Sequence, residues 1–152
     1  MTLRTSLQNV LDGPVDSLSL LVVSDTHVGS ELASKYASRT DVCLVTDRRR
    51  VAERPSENVE TVVGDPTSPE TLEATGDVTA AVVALRTDRQ ALLVTQLLRT
   101  NLNVESVVVL LNDPDRTDAI AETATAVVCR STCLARALQQ TVNSTLSISH
   151  SS

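Results

Sequence analysis

The sequence predicts a doubly wound α/β domain: a parallel sheet of about six strands in the order 3-2-1-4-5-6, with helices on both faces and right-handed crossovers. Three observations carry that expectation. Short apolar runs alternate six times with segments of helical character. The runs are apolar almost throughout rather than at every second residue, as in strands covered on both sides. The interior has no Phe or Trp and Tyr36 as its one tyrosine, so Val, Leu, Ala and Ile must fill it, and branched aliphatic side chains suit buried parallel strands.

Residues 1–17 are polar, contain Gly13-Pro14 and lack a clear period, which predicts a flexible arm with a short helical turn around residues 7–11, free to pack on a partner. The first strand is expected over residues 18–23 and its helix from a Thr26 cap to about residue 38, with Val28, Leu32 and Tyr36 on one face. The second strand spans 42–46, ends at Asp47 and is followed by Arg48-Arg49-Arg50. The third spans 59–63 and ends at Gly64-Asp65-Pro66, leaving room for one helical turn within 52–58. Ser68-Pro69 opens a short helix that Gly76 closes. The fourth strand, 80–85, leads through Arg86-Thr87-Asp88 into a helix over 89–100, with Asp88 read as its N-cap or as a ligand contact. The fifth, 106–111, is followed by Asn112-Asp113-Pro114 and a helix to about residue 122. The sixth, 126–129, precedes a helix over 132–143, and residues 144–152 read as a polar tail. One domain over residues 18–143 accounts for the chain.

The totals bound the function. At 152 residues the chain is long enough to bury a core without staples. The net charge of −6, with Lys35 the only lysine against twelve arginines, argues against nucleic acid as a partner. The same acidic, lysine-poor balance suits a salt-rich cytosol, a halophile's composition. Cys43, Cys129 and Cys133 are odd in number, contain no C-x-x-C pair and read as reduced thiols in a cytoplasmic protein. No secretory leader is apparent, and no apolar run approaches a membrane span.

The stretch Leu18 to Gly29 has the strand–turn–helix form in which a phosphate meets helix N–H groups in such domains, and two chemistries compete for it. Asp25-Thr26-His27 matches the D-x-H opening of metal-dependent phosphoesterases, with Gly64-Asp65 as a second ligand. Two metals need several carboxylate, Asn and His ligands, yet the other histidine is His150 and no Gly-Asn-His segment exists. Alternatively, Ser24, Thr26 and Gly29 occupy the three positions of a worn G-x-G-x-x-G dinucleotide fingerprint, with Asp47 as the acid roughly twenty residues on. Ser24 and Thr26 put side chains where glycine permits a tight turn and close approach to a pyrophosphate, whereas Gly29 keeps the position that lets helix and strand pack. No Ser/His/Asp set, general base or metal cluster emerges, so no catalysis is expected.

Taken together, the turn ending at Gly29, Asp47 after the second strand, Val62-Val63-Gly64-Asp65-Pro66-Thr67, Ala80 to Leu85 with Thr87-Asp88, Asn112-Asp113-Pro114 and Ala126-Val127-Val128 resemble the Rossmann-like N-terminal nucleotide-binding domain of potassium-transport regulators, the RCK, KTN or TrkA-N domains. The resemblance implies a crevice for NAD, ATP or ADP formed by Ser24, Asp25, Thr26, His27, Val28, Gly29, Asp47, Arg48, Gly64, Asp65, Leu85 and Thr87. It also implies a homodimer or higher homo-oligomer acting beside a potassium channel or transporter subunit at the inner face of the membrane. The chain departs from the family pattern at Ser24 and Thr26, at Ala91 where an Asn is usual, at Pro66 where a small Ala is usual, and at Leu110 where an Arg is frequent. Each departure removes a polar contact or adds bulk. Two functions therefore stay open: a nucleotide-sensing regulator of potassium transport, and a ligand-free interaction scaffold of the same fold. The chain carries neither the C-terminal regulatory domain usual in these regulators nor the substrate domain of a dehydrogenase, which makes an oxidoreductase the remoter reading. The stripe Leu134, Ala135, Leu138, Thr141 and Val142 on the last helix is the expected dimer surface.

Overall fold

The computed structural model describes residues 18–147; the expected arm at 1–17 and the end of the tail, 148–152, lie outside the described residues. Six strands form one sheet: β1 (Ser19–Ser24), β2 (Asp41–Thr46), β3 (Glu60–Val63), β4 (Ala80–Ala84), β5 (Ser106–Leu111) and β6 (Ala126–Cys129). Their order is β3-β2-β1-β4-β5-β6, and all five neighbouring pairs are parallel. The doubly wound Rossmann-like fold is therefore the observed one. The strand order reverses between β1 and β4, with Val23 opposite Val45 on one side and Ser24 opposite Ala84 on the other. Loops that leave β1 and β4 must diverge there, and the crevice between them is where such sheets take ligands.

The two sheet faces are covered unequally. Helices α3 (Pro69–Glu73), α4 (Asp88–Thr100) and α5 (Thr117–Ala121) lie on the face formed by the odd-numbered residues of β1, β4 and β5. Leu21, Val23, Val83, Val107, Val109 and Leu111 there meet Leu72, Ala91, Val94, Leu98 and Ile120, nearly all inaccessible to water. Each such Val or Leu is worth roughly 1.5–3 kcal/mol over leaving it exposed. The opposite face is covered by α1 (His27–Tyr36) and α2 (Arg49–Ala52), which close Val22, Val42, Leu44 and Val59 beneath Ala33 and Val51. That cover ends at β1.

Local chemistry explains where the elements depart from expectation. The expected stripe Val28, Leu32 and Tyr36 is not what α1 buries; Gly29, Ser30 and Ala33 face the sheet instead, because small residues let the helix sit close. The arginine run is helical: α2 starts at Arg49, not after residue 52, and ends when the Glu53 N–H bonds back to Arg49. Thr87, not Asp88, caps α4, accepting from the Gln90 N–H at 3.4 Å. A 3₁₀ turn, Pro114–Arg116, precedes α5, and the Asp113 carboxylate caps it. The last helix, α6, runs Arg130–Leu146, beyond the expected end at 143, and ends where Ser147 turns left-handed.

Candidate functional site

All strands being parallel, every predicted site residue falls at the carboxyl edge of the sheet. The turn after β1 is held by its own side chains. Ser24 is fully buried; its Oγ accepts the Thr26 N–H at 3.2 Å and donates to the Thr26 carbonyl at 3.2 Å. The hydroxyl thus takes a backbone donor that a glycine at this position would leave for a ligand. Gly29 is obligatory for a related reason: a Cβ there would lie 2.1 Å from the Ser24 Cβ. Thr26 occupies the N-cap of α1 without a side-chain cap bond; the Gly29 N–H donates to its carbonyl at 3.2 Å, and the first turn carries the positive end of the helix dipole. His27 and Val28, the next two residues, are exposed.

Asp25 does what neither competing motif expects of it. It is 92% buried; one carboxylate oxygen accepts the Arg86 backbone N–H at 3.0 Å, and the other pairs with the Arg86 guanidinium at 3.5 Å. A bridge thereby spans the switch point, joining the turn after β1 to the loop after β4. Leu85 is buried, which fixes that loop, and the exposed Thr87 is spent on capping α4. Asp88 holds the next loop: its carboxylate accepts from the Asn112 N–H (2.8 Å), the Asn112 amide (3.1 Å) and the Asp113 N–H (2.9 Å). The Asn112 side chain donates in turn to the carbonyls of Leu85 and Arg86, and Arg130 reaches its Oδ1 at 3.5 Å. A polar chain therefore runs from β1 through β4 and β5 to the start of α6.

The ends of β2 and β3 differ. Asp47 and Arg48 are exposed; among the described residues, the Asp47 carboxylate and the guanidinium groups of Arg48, Arg49 and Arg50 make no hydrogen bond or ion pair. The backbone there is firm: buried Thr46 accepts the Arg48 N–H on its hydroxyl at 3.1 Å, and the Gly64 N–H on its carbonyl at 2.9 Å. Asp65 forms the turn, accepting from the Thr67 N–H (2.9 Å) and hydroxyl (2.7 Å), bonds that lower its pKa. Arg50 and Arg54 share a shallow cavity of about 340 Å³ with His27 and Glu53, which brings basic groups beside the first turn of α1.

The structure gathers the predicted residues on one edge but divides them: Ser24, Asp25 and Thr87 are engaged by the protein, whereas His27, Asp47 and Arg48 face solvent. Arg86 and Asn112 are the functional-edge residues that motif reading passes over; the signal for them is a charged and an amide residue just beyond the strands flanking the switch point. Ala91 is a core residue of α4 and Pro66 is buried. Leu110 faces an apolar groove on the sheet, away from the crevice. Among the described residues no group of three or more His, Cys, Asp or Glu is placed to hold a metal. No described helix is long and apolar enough to cross a membrane.

The comparisons agree with this geometry. The family model of the TrkA-N domain matches residues 20–130. The TrkA-N domain of the inner membrane protein ybaL from Escherichia coli superposes with a TM-score of 0.68 at 21% identity, over 84% of this chain and 97% of that one. The NAD(P)-binding domain of an exopolyphosphatase-related protein from Archaeoglobus fulgidus gives 0.69 at 20% identity, over 82% and 97%. The GsuK channel bound to NAD gives 0.61 at 18% identity, over 83% of this chain and 25% of that one; GsuK is also known bound to ADP. Among curated proteins none matches.

Proposed function

The chain belongs to the TrkA-N domain family, and from that premise we propose that it is a non-catalytic regulatory domain of potassium transport that binds a nucleotide, NAD(H) or an adenine nucleotide, at the carboxyl edge of its sheet. The observation that carries the reading is Asp47: a carboxylate without a partner among the described residues, on a firm backbone at the end of β2 and followed by Arg48, Arg49 and Arg50, the last of which shares a cavity with His27 at the start of α1. A carboxylate there accepts from ribose hydroxyls, and arginine forks suit phosphate. That GsuK is known with NAD and with ADP supports either ligand. In this reading the domain works in the cytoplasm as a homodimer or larger homo-oligomer, beside a membrane channel or transporter subunit, and its acidic surface serves a salt-rich interior.

Signalling follows from the bridge at the switch point. A pyrophosphate entering between β1 and β4 competes with Asp25 for Arg86, so occupancy is coupled to the spacing of the two loops. The alternative, a ligand-free scaffold, is favoured by one observation, the Ser24 hydroxyl that already occupies the Thr26 N–H. Thermal unfolding with NAD, NADH, ATP, ADP and AMP at millimolar levels separates the two. A ligand at a hundred times its Kd stabilises the fold by about 2.7 kcal/mol, whereas no shift with any of the five leaves the scaffold.

A further inference from the structure

The chain is acidic overall, with a net charge of −6, yet the seven residues Arg48-Arg49-Arg50-Val51-Ala52-Glu53-Arg54 hold four of its twelve arginines against one glutamate. An island of that sign in an acidic chain attracts anions. Packing decides what the island presents. Val51 is the buried residue of α2 and joins the core beneath Ala33 of α1, whereas Arg50, Glu53 and Arg54 are exposed. The chain beyond α2 is tied to α1, where the Ser34 Oγ accepts the Ser56 N–H at 3.0 Å. Held in this way, Arg50, Glu53 and Arg54 form one side of the shallow cavity of about 340 Å³, and His27, the first residue of α1, forms the other.

The cavity's arginines have no partner among the described residues, unlike several elsewhere. Arg86 pairs with Asp25 and Arg116 with Asp113. Arg99 donates to the carbonyls of Val104, Glu105 and Thr123, and Arg130 reaches Asn112. Like charges four residues apart repel, so bringing Arg50 and Arg54 together carries a cost that an anion between them offsets. A carboxylate brings one negative charge, and Glu53 already supplies one. A phosphate monoester brings nearly two at neutral pH, with three acceptor oxygens that guanidinium forks engage in pairs. The positive end of the α1 dipole adds to the field at His27. The Thr26 N–H, a donor for phosphate in the turn itself, is taken by the Ser24 hydroxyl. A phosphate denied that donor finds side-chain donors in the cavity instead.

We propose that this cavity is a phosphate-monoester site, in which Arg50 and Arg54 grip the anion, the His27 imidazole donates a further hydrogen bond and Glu53 holds the affinity down. The anion is either free phosphate or the phosphate of a nucleotide whose ribose rests on Asp47, three residues before Arg50. The second source rests on the nucleotide reading above; the first stands without it.

Calorimetry on the full chain, with ionic strength held constant by chloride, compares inorganic phosphate, adenosine and AMP. For free phosphate the expected result is saturable binding that falls at least about 10-fold in Arg54→Gln, the loss of one charge-assisted fork. For the nucleotide source, AMP binds at least about 10-fold tighter than adenosine. That margin closes in Arg54→Gln, while Asp47→Ala weakens both ligands alike. In either case Glu53→Gln should tighten the phosphate-bearing ligand about 5-fold, by removing one like charge at short range. Three outcomes overturn the proposal. One is inorganic phosphate without saturable heat together with AMP no tighter than adenosine. Another is a double variant, Arg50→Gln with Arg54→Gln, that keeps the phosphate affinity. The third is an affinity unchanged in Glu53→Gln, which would place the anion outside the cavity. Equal binding of adenosine and AMP, both weakened in Asp47→Ala, would strike out this site and leave the nucleotide crevice standing. Phosphate binding without any nucleotide binding would do the reverse.

Discussion

The carboxyl edge of the sheet has two sides that solve opposite problems. From β1 through β4 and β5 to α6, polar side chains satisfy one another: Ser24 with Thr26, Asp25 with Arg86, Asp88 with Asn112 and Asp113. At the ends of β2 and β3 the backbone is equally well held, by Thr46 and by Asp65, yet the side chains of Asp47 and the three arginines have no partner among the described residues. The contrast separates two uses of one residue type. A carboxylate at the switch point fixes loops, and its removal leaves part-buried donors orphaned. A carboxylate at the end of β2 has no partner among the described residues, so its removal orphans no donor there. Stability and ligand affinity should therefore divide along the same line, and each experiment below either deepens that division or erases it.

The largest effect belongs to the engaged side. Gly29→Ala places a Cβ inside the van der Waals radius of Ser24, and one of the two elements must move; a loss of about 3 kcal/mol or more in unfolding free energy is expected. Adding Ser24→Gly removes the clash, since the next neighbour, Leu44, lies at an ordinary 3.5 Å. The double variant should then regain most of the loss despite the cost of about 1 kcal/mol for the added glycine. Chemical denaturation of the four proteins in the cycle measures the coupling. Additive losses would mean that the helix, not Ser24, sets the limit.

Next comes Asp88→Ala, which strips three donors of their acceptor. Bonds to a charged group of this kind are worth about 1.5–3 kcal/mol together, with part of the loss offset by water at this half-buried site. Hydrogen exchange should show faster opening of the Asn112 and Asp113 amides, with β2 and β3 unaffected. Equal loosening on both sides would erase the division.

How much of this was legible in the sequence depends on how far apart the partners are. The strand order and the edge on which the candidate residues fall follow from aliphatic runs and turn residues, because burial on both faces leaves a local imprint. The places of Asp47 and Gly64-Asp65, each immediately after a strand, were likewise legible. The fate of Asp25 was not: its partner Arg86 is 61 residues away, and Asp-Thr-His reads as a metal motif until the fold shows which side chains are near. Asp88 misread for the opposite reason, since an acid at a helix start looks like a cap when Thr87 one residue earlier does the capping. The α6 stripe was visible, but that none of the helix's residues is buried was not, and the Ser/Thr/Asn-rich stretch of 141–147 concealed how far it runs.

Asp47→Ala tests the open side. Thermal and chemical stability should change by less than about 0.5 kcal/mol, as for exposed positions without partners. Affinity for a ribose-bearing nucleotide should fall by about 1.5–3 kcal/mol, measured by calorimetry. The opposite pattern is expected of Asp25→Asn, which loses stability but frees Arg86 for phosphate. Unchanged affinity in Asp47→Ala would take that residue out of the site. Replacing both Ser24 and Thr26 by glycine should strengthen binding by releasing the turn's N–H groups.

The smallest effects concern two thiols, one on each side. Cys43 in β2 is buried opposite Glu60, and burial, then the Glu60 charge, push its pKa up from 9.0 to about 11. Cys129 at the end of β6 is drawn down from 9.0 to about 7, first by the Ser131 hydroxyl and then by Thr132 at the start of α6. The signs are opposite. Unfolded Cys43 loses its proton near pH 9 while the native thiol holds it to about 11, so its contribution is complete below 9 and is lost as pH rises from 9 to 11. Native Cys129 ionises first, so its contribution is present above 9 and is lost as pH falls through 7. Solvent screens Cys129, which keeps its arm shallow, and the alkaline arm should dominate a melting-temperature profile between pH 6.5 and 11. Cys43→Ala should flatten the alkaline fall and Cys129→Ser the rise from pH 7 to 9. Iodoacetamide at pH 7.5 should label native Cys129 and spare Cys43, and labelling of Cys43 at the same rate would mean that β2 opens as readily as the edge of the sheet.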